Sequence, residues 1–297
     1  MLETFFSIPP ILFAIFATVG VSAWSLLSRK ILRGEKDFIG VGAATEMLSL
    51  GILLLFFLSL NGALGGADFD PASVPPVGWA ALAVSFFAYM AAVLSSYKGF
   101  QSGEANERAV INQVQNIFTL LVAAALLAEP LTGPKVAGVL LITAGAVICT
   151  YRPDHARWKV EGVRLFLLSA LCFGVGGMSD KVAMQYFPVA LYAPVSFLGP
   201  ALAALVLLGR QAVPRMKTIW KRHRFWMPVL ALISVAPYVL FLLALKAMPI
   251  SVLGPLMNTN IVLTAVGGML LLGEHDSWKQ KIAGALLALA GAWMIGG

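Results

Sequence analysis

Long apolar stretches separated by short polar segments run along the whole chain. A membrane-spanning helix needs about 20 mostly apolar residues. Ten stretches approach or exceed that length: residues 9–28, 39–60, 76–97, 105–128, 133–150, 161–182, 190–209, 225–246, 250–273 and 278–296. The first follows no basic segment and ends without a small-residue cleavage site, so we interpret it as a retained helix and not as a signal peptide. The pattern predicts an all-α polytopic membrane protein with ten transmembrane helices.

The second half of this pattern repeats the first half. The fourth stretch ends at Glu129 and the ninth at Glu274, a spacing of 145 residues, and a short polar linker follows each glutamate. The next stretches carry glycines seven residues apart, which are Gly138 and Gly145 in the first copy and Gly284 and Gly291 in the second. A duplicated unit with an odd number of spans inserts in opposite orientations, as in many secondary transporters. We therefore predict two inverted five-helix repeats, residues 1–152 and 153–297.

Composition and charge agree with a membrane protein. Hydrophobic residues make up 59% of the chain and charged residues 12%, which excludes one soluble domain of this length. Of the 21 lysines and arginines, 18 follow odd-numbered stretches, and the densest group lies between Arg210 and Arg224. Since basic loops remain in the cytoplasm, the charges place both termini outside. We interpret residues 210–224 as a basic loop beside the membrane and expect no nucleic-acid partner.

The sequence carries few residues that support catalysis. All three histidines lie between apolar stretches, so the membrane holds no pair of histidine ligands for a metal. No nucleophile elbow, phosphate-binding lysine loop or dinucleotide glycine fingerprint occurs. Cys149 and Cys172 lie in or at the ends of apolar stretches, which argues against a disulfide. We expect no metal, no cofactor and no enzymatic activity.

The fourth stretch is the richest in uncharged polar side chains, which are Asn112, Gln113, Gln115, Asn116 and Thr119. All except Gln113 share one face of a continuous helix, at spacings i, i+3, i+4 and i+7. At the 145-residue offset, Gln113, Gln115 and Thr119 correspond to Asn258, Asn260 and Thr264 of the ninth stretch. These residues predict a substrate path lined by both repeats. The alternative is that the amides join helices, each contact contributing about 1 kcal/mol.

Glu46 and three aromatic residues complete the candidate site. Glu46 is the one acid that the pattern places well inside a span, where it would carry a proton or contact the substrate, or else pair with Lys30 or Arg33 near the interface. Trp24, Tyr89 and Tyr238 are candidates to line the substrate path, although membrane aromatics also mark interfaces. The glycine pairs predict close helix packing, with a dimer contact as a further possibility. A monomer and a homodimer both remain open.

These features together resemble the EamA family of the drug/metabolite transporter superfamily. The resemblance lies in Glu129 and Glu274, the glycine-rich fifth and tenth spans, Trp24, and the small residues 174–177. It implies an inner (plasma) membrane transporter of a small molecule, an exporter of a metabolite such as an amino acid or of an amphipathic solute. It also implies termini in the cytoplasm, contrary to the charge pattern. Alternative functions are a flippase for a lipid or lipid precursor and, less favoured, a membrane-embedded enzyme.

Overall fold

The structure, a computed structural model, describes residues 9–32, 35–60, 69–102, 105–151, 159–272 and 278–296. Its α-helices are α1 (Pro10–Leu32), α2 (Phe38–Leu60), α3 (Pro76–Ser102), α4 (Ala105–Ile111), α5 (Val114–Leu127), α6 (Gly133–Thr150), α7 (Val160–Ala183), α8 (Val189–Leu208), α9 (Ala212–His223), α10 (Trp226–Ala247), α11 (Ile250–Asn258), α12 (Asn260–Leu272) and α13 (Trp278–Gly296). Two short 3₁₀-helices are Pro71–Ser73 and Gly209–Gln211.

The helices confirm the predicted fold class. Within the described ranges the regular structure is entirely helical, and nine helical segments are long and apolar enough to cross a membrane. The tenth predicted span is α13, whose bounds match residues 278–296. The chain is therefore an all-α polytopic membrane protein. Glu274 lies outside the described residues.

The fourth and ninth spans differ from the prediction, because a short 3₁₀ turn interrupts the α-helical hydrogen bonding of each while the backbone stays in the right-handed helical region. The fourth consists of α4 and α5, which are separated at Asn112 and Gln113, and the ninth consists of α11 and α12, which are separated at Thr259. At both breaks the backbone tightens, since Gln113 N–H donates to the Val110 carbonyl (3.1 Å) and Thr259 N–H to the Leu256 carbonyl (3.1 Å). These i→i−3 bonds are the 3₁₀ pattern. The two breaks fall at almost equivalent positions of the two repeats.

The interpretation of residues 210–224 as a loop was wrong. Residues 212–223 form α9, whose buried Ile219 packs with residues of α1, α2 and α10. The guanidinium of Arg215 donates to both carboxylate oxygens of Asp37, and Arg222 pairs with Glu35. A helix that presents an apolar face inward and basic side chains outward lies along a membrane surface. The sequence analysis looked for apolar stretches, and the many charged residues of this segment made its amphipathic helical pattern difficult to recognise.

Contacts divide the chain into two compact units. The first comprises residues 1–94 and 179–247, and the second comprises residues 95–178 and 248–297. The first unit thus holds α1, α2, α8, α9 and α10 with parts of α3 and α7, and the second holds α4–α6 and α11–α13 with the remaining parts. Each unit therefore draws helices from both halves of the sequence.

In the second unit, the matched glycine pairs pack against one another within the chain. A Cβ atom on Gly138 would lie 2.6 Å from the Gly291 carbonyl oxygen, and one on Gly145 would lie 2.7 Å from the Ala288 backbone nitrogen, close to Gly284. Because Gly138 meets Gly291 and Gly145 meets Gly284, α6 and α13 run antiparallel. Equivalent helices that run antiparallel are the arrangement that inverted repeats require.

In the first unit, Asp37 anchors α9 to the start of α2. Its carboxylate accepts a hydrogen bond from Gly40 N–H (2.8 Å), which caps α2, and another from Arg215 Nε (2.8 Å). The Arg215 guanidinium is the main cause that holds the pKa of the Asp37 carboxyl below its ordinary value, and Gly40 adds to the effect. A carboxyl whose pKa is lower in the folded protein than in the unfolded chain stabilises the fold at any pH above the unfolded pKa. That contribution disappears as the pH falls through the folded pKa.

We expect Gly145→Ala to destabilise the second unit by about 1–3 kcal/mol, because the new methyl group meets the backbone of α13 and not a movable side chain. Thermal unfolding of the purified protein in detergent measures the effect as a lower Tm. Gly51→Ala is the matched control, since a Cβ at Gly51 meets nothing within 4 Å. Equal Tm values for the two variants would contradict the close glycine packing.

We expect Asp37→Asn to lower the Tm at neutral pH and to have progressively less effect in acid. Asparagine caps a helix about as well as aspartate, so the variant removes the ionic contact with Arg215 while it keeps the cap. Tm values of both proteins measured across a pH series check this. The two curves begin to converge as the pH falls below about 3.9, the ordinary pKa of an aspartate, and meet once the pH has fallen through the lower pKa of the folded Asp37 carboxyl. A gap of constant size at every pH would assign the effect to the cap.

Candidate functional site

A chain of amide hydrogen bonds joins the two broken spans of the second unit. Asn116 Nδ2 donates to Gln113 Oε1 (3.0 Å), and Asn258 Nδ2 donates to Asn116 Oδ1. Gln113 and Asn116 are almost fully buried, whereas Asn258 is partly buried. The amides thus connect α5 to α11 beside the breaks in both spans. A polar network in hydrocarbon is favourable when its donors and acceptors find partners in the protein.

The network contains one bond that occurs in both repeats. Gln113 Nε2 donates to the Ala109 carbonyl (3.2 Å), and Asn258 Nδ2 donates to the Gly254 carbonyl (3.1 Å). The two donors are 145 residues apart, and so are the two acceptors. At each break an amide side chain therefore bonds a backbone carbonyl one turn earlier. This competition between side chain and backbone gives a local reason for both breaks.

Glu129 binds the N-terminus of α11. Its carboxylate accepts hydrogen bonds from the N–H groups of Ile250 (2.9 Å) and Ser251 (3.1 Å) and from the Ser251 hydroxyl. Pro249, the N-cap residue, has no side chain that can accept these bonds. Lys135 Nζ lies 3.9 Å from the same carboxylate. Glu129 therefore caps a helix of the other repeat and is positioned as a structural residue.

A second polar cluster lies in the first unit, around the carboxylate of Asp180 on α7. Oδ1 accepts hydrogen bonds from the Ser85 hydroxyl (2.9 Å) and the Tyr192 hydroxyl (2.6 Å). Oδ2 accepts from the Tyr89 hydroxyl (2.5 Å) and the Tyr238 hydroxyl (3.3 Å). Asp180 is 0% exposed and Ser85 is 1% exposed. Donors from α3, α8 and α10 thus converge on one acid, and we call these five residues the Asp180 cluster.

Aromatic rings cover one side of the Asp180 cluster. Tyr89 and Tyr238 are both partly exposed, and their ring centroids lie 6.5 Å apart in an edge-on arrangement. Phe197 contacts the Tyr238 ring edge-on at 5.2 Å, and Phe241 stacks on it at 6.2 Å. The buried acid is therefore separated from its surroundings on this side by two tyrosines whose hydroxyls touch it.

Comparison with protein families identifies the chain. The model described as the EamA-like transporter family matches residues 8–151 and 160–297. The chain belongs to the EamA-like transporter family. It is thereby a multi-pass membrane protein of a family that transports small solutes, as the resemblance in the sequence implies.

One solved structure gives independent support for the fold of this EamA-like chain. A protein of known crystal structure, 18% identical in sequence, superposes with a TM-score of 0.76 over 96% of this chain and 95% of its own. At this identity the likeness shows the fold alone. No curated protein matches the chain.

The residues predicted for the site divide between the two units. Trp24, Glu46, Tyr89 and Tyr238 belong to the first unit. Asn112, Gln115, Asn116, Thr119, Asn258, Asn260 and Thr264 belong to the second. The structure brings Tyr89 and Tyr238 together on Asp180, and Asn116 and Asn258 together in the amide network.

Several predicted residues occupy positions that the sequence did not indicate. The break at residues 112–113 separates Asn112 from the predicted polar face, which continues only along α5. Thr119 and Thr264 are buried, whereas Asn112, Gln115 and Asn260 are partly exposed beside the network. Trp24 is exposed on α1, and no ring contact within the described residues joins it to Tyr89 or Tyr238.

Glu46 is not the only acid inside a span, and that part of the prediction was wrong. Asp180 is fully buried within α7, whereas Glu46 is partly exposed on α2. Within the described part of the chain Glu46 makes no hydrogen bond or ion pair, while Lys30 lies over the Trp226 ring at 5.0 Å from its centroid. Asp180 and its donors Ser85 and Tyr192 were not among the predicted site residues, and Gln113, although part of the predicted polar cluster, was not expected to be its buried support. The positions of Tyr89 and Tyr238 were the only signal pointing toward Asp180.

We expect Glu129→Ala to destabilise the second unit by about 1–2 kcal/mol, because it leaves the first N–H groups of α11 without an acceptor. Thermal unfolding in detergent measures the loss. Glu129→Gln, which retains one acceptor oxygen, is the matched variant and should lie between Glu129→Ala and the wild type. A wild-type Tm for Glu129→Ala would remove the capping role.

Proposed function

We propose that this EamA-like protein exports a small zwitterionic or amphipathic solute, such as an amino acid, across the plasma membrane by alternating access. The proposal rests mainly on the pair of equivalent helix breaks, each of which lies beside neutral amide side chains. Discontinuous helices with irregular backbone are where many secondary transporters bind their substrates. Family membership supports transport in general, and it favours transport over an enzymatic role. The direction and the solute are our proposal.

The second unit offers polar groups that a solute can bind. Irregular backbone at membrane depth is tolerated where protein buries it or where it lines a water-filled cavity. Gln113 and Asn116 are buried, and each uses both its amide nitrogen and its amide oxygen within the protein, so they act as the support of the network. Gln115, Asn112 and Asn260 lie next to that network and are partly exposed. We therefore assign substrate contact to these three residues ahead of the buried members of the network.

The chemistry of these helices favours a solute without net charge. α5, α11 and α12 contain no lysine, arginine, aspartate or glutamate. Neutral amides provide both donors and acceptors, which suits a carboxylate and an ammonium group carried by one molecule. A multiply charged solute such as a phosphate ester would require fixed countercharges to offset its desolvation. Zwitterions and amphiphiles are thus the proposed cargo.

We expect Gln115→Ala and Asn260→Ala each to slow exchange by about 2–10-fold, the effect of one lost hydrogen bond. Counterflow in proteoliposomes with a labelled panel of amino acids and neutral amphiphiles is the measurement. Leu121→Ala on α5 and Leu270→Ala on α12 are matched controls, since these side chains are 57% and 78% exposed on the same helices. Membrane insertion should remain intact in all four variants.

The panel also separates the alternatives. If Gln115→Ala and Asn260→Ala both exchange solute at the wild-type rate, these residues do not contact the substrate. The proposal that the protein transports a solute would be unaffected. Absence of solute exchange together with movement of labelled phospholipid between leaflets would replace the proposal with a flippase. Exchange confined to phosphorylated solutes would contradict the proposed cargo.

A further inference from the structure

The carboxyl group of Asp180 is enclosed by hydroxyl groups from three other helices. Four hydroxyl groups contact it, two at each oxygen. Hydroxyl contacts of 2.5 and 2.6 Å, made by Tyr89 and Tyr192, fall in the range typical of charge-assisted bonds to a carboxylate. A neutral carboxylic acid would need one of these oxygens to donate. The four contacts fit an ionised carboxylate that accepts from every hydroxyl group, and they also fit a protonated carboxyl that donates to one of them.

The negative charge of Asp180 has no cation beside it within the described part of the chain. The titratable groups that face the carboxylate are Tyr89 from α3, Tyr192 from α8 and Tyr238 from α10, and all three are neutral donors. On its own helix the adjacent Lys181 donates instead to the Leu245 carbonyl (2.7 Å), near the C-terminus of α10. An ion held at 0% exposure without a countercharge is costly even when it is well hydrogen-bonded.

One monovalent cation would neutralise this charge, and a proton is the cation that a carboxyl already in contact with four hydroxyl groups can take without any rearrangement of ligands. A metal ion needs several oxygen ligands around an open volume, whereas the oxygens of Asp180 already contact four hydroxyl groups in a fully buried position. Nor do the described residues contain a group of three or more acidic, histidine or cysteine side chains able to hold a metal. A proton requires no additional volume and can pass between hydroxyl groups.

We propose that Asp180 is the proton-binding site that couples this transporter to the proton gradient, with Tyr89 and Tyr238 as the entry for the proton. The proposal rests on the proposed function, since coupling presupposes transport. Tyr89 and Tyr238 are the partly exposed members of the Asp180 cluster, and a hydroxyl group can accept one proton while it donates another. In this relay the tyrosine hydroxyl gives its own hydrogen to Oδ2 and takes the incoming proton in its place, so the tyrosine is regenerated and the net change is one new O–H bond on Oδ2.

Binding of the proton changes the hydrogen bonds of the cluster. Once Oδ2 carries hydrogen it becomes a donor, so one tyrosine hydroxyl on that oxygen must accept or move away. Tyr238 is the weaker partner at 3.3 Å, against 2.5 Å for Tyr89. Tyr238 follows Pro237, which removes one backbone hydrogen bond from α10 and lies against Gly20 of α1. Binding of the proton therefore acts on α10 next to the residue where its backbone lacks one hydrogen bond.

Infrared difference spectroscopy of the purified full-length protein, between acidic and alkaline buffer, tests proton binding without any substrate. The wild type should show a protonated-carboxyl band in acid that is lost in Asp180→Asn and retained in Glu46→Gln. Tyr238→Phe, which removes one donor to the ionised form, should shift the appearance of the band toward alkaline buffer. Tyr186→Phe is the matched control, because Tyr186 lies outside the Asp180 cluster.

Transport supplies the second readout. In proteoliposomes the amino acid that exchanges best in counterflow should accumulate faster when a pH gradient is imposed, and Asp180→Asn should lose this acceleration. Loss of the band in Glu46→Gln, with retention in Asp180→Asn, would overturn the proposal in favour of Glu46. Acceleration by a sodium gradient and not by a pH gradient would overturn it in favour of a metal ion.

The two proposals fail in different ways. A carboxyl band that depends on Asp180, in a protein that exchanges no solute of the panel, would refute the proposed export and retain the proton site. The wild type could instead show normal counterflow but neither the protonated-carboxyl band nor any response to pH. That result would refute the proton site and leave the proposed export intact. Should Asp180→Asn fail to fold, an unshifted band in Tyr238→Phe would overturn the proposal.

Discussion

Hydrocarbon offers no hydrogen-bond partner, so the polar groups that this chain places inside the membrane are stabilised chiefly by partners in the protein. Helices satisfy most of the backbone. At the two broken spans, amide side chains donate hydrogen bonds to backbone carbonyls. At the start of α11, Glu129 accepts a hydrogen bond from a backbone N–H group. Asp180 is a buried acid that meets this requirement, since it binds four hydroxyl groups from three other helices. The arrangement of the polar residues therefore follows from one requirement.

The glycine contacts show how the same requirement acts on packing. Apolar side chains gain little by leaving lipid for protein, so membrane helices associate through close approach and through polar bonds. Gly138 and Gly145 let α6 approach the backbone of α13, and Gln280 donates to the Ile148 and Tyr151 carbonyls at one end of that contact. In the same unit, Asn116 and Asn258 join α5 to α11. Each pairing combines an element of one repeat with an element of the other.

Much of the fold follows from the sequence, because the length of an apolar stretch measures a membrane span directly. The 145-residue offset also identified Gln113 and Asn258 as equivalent, and the structure gives them equivalent bonds. The breaks beside them were missed, since a hydropathy pattern contains no information about side chains that compete with the backbone. Asp180 was missed because its donors come from other helices. Its neighbour Lys181 and its position near the end of α7 resemble an ordinary interfacial pair.

The proposed proton site belongs to the first unit and the proposed solute contacts belong to the second. Moving one elementary charge across the membrane potential costs about 2.3 kcal/mol per 100 mV. A carboxylate that is neutralised by a proton carries no net charge, so a conformational change involving α7 and α10 escapes that cost while Asp180 holds the proton. The amides of the second unit have no charge in either state. Since the charged side chain lies in one unit and the proposed solute contacts in the other, substitutions can alter coupling and recognition separately.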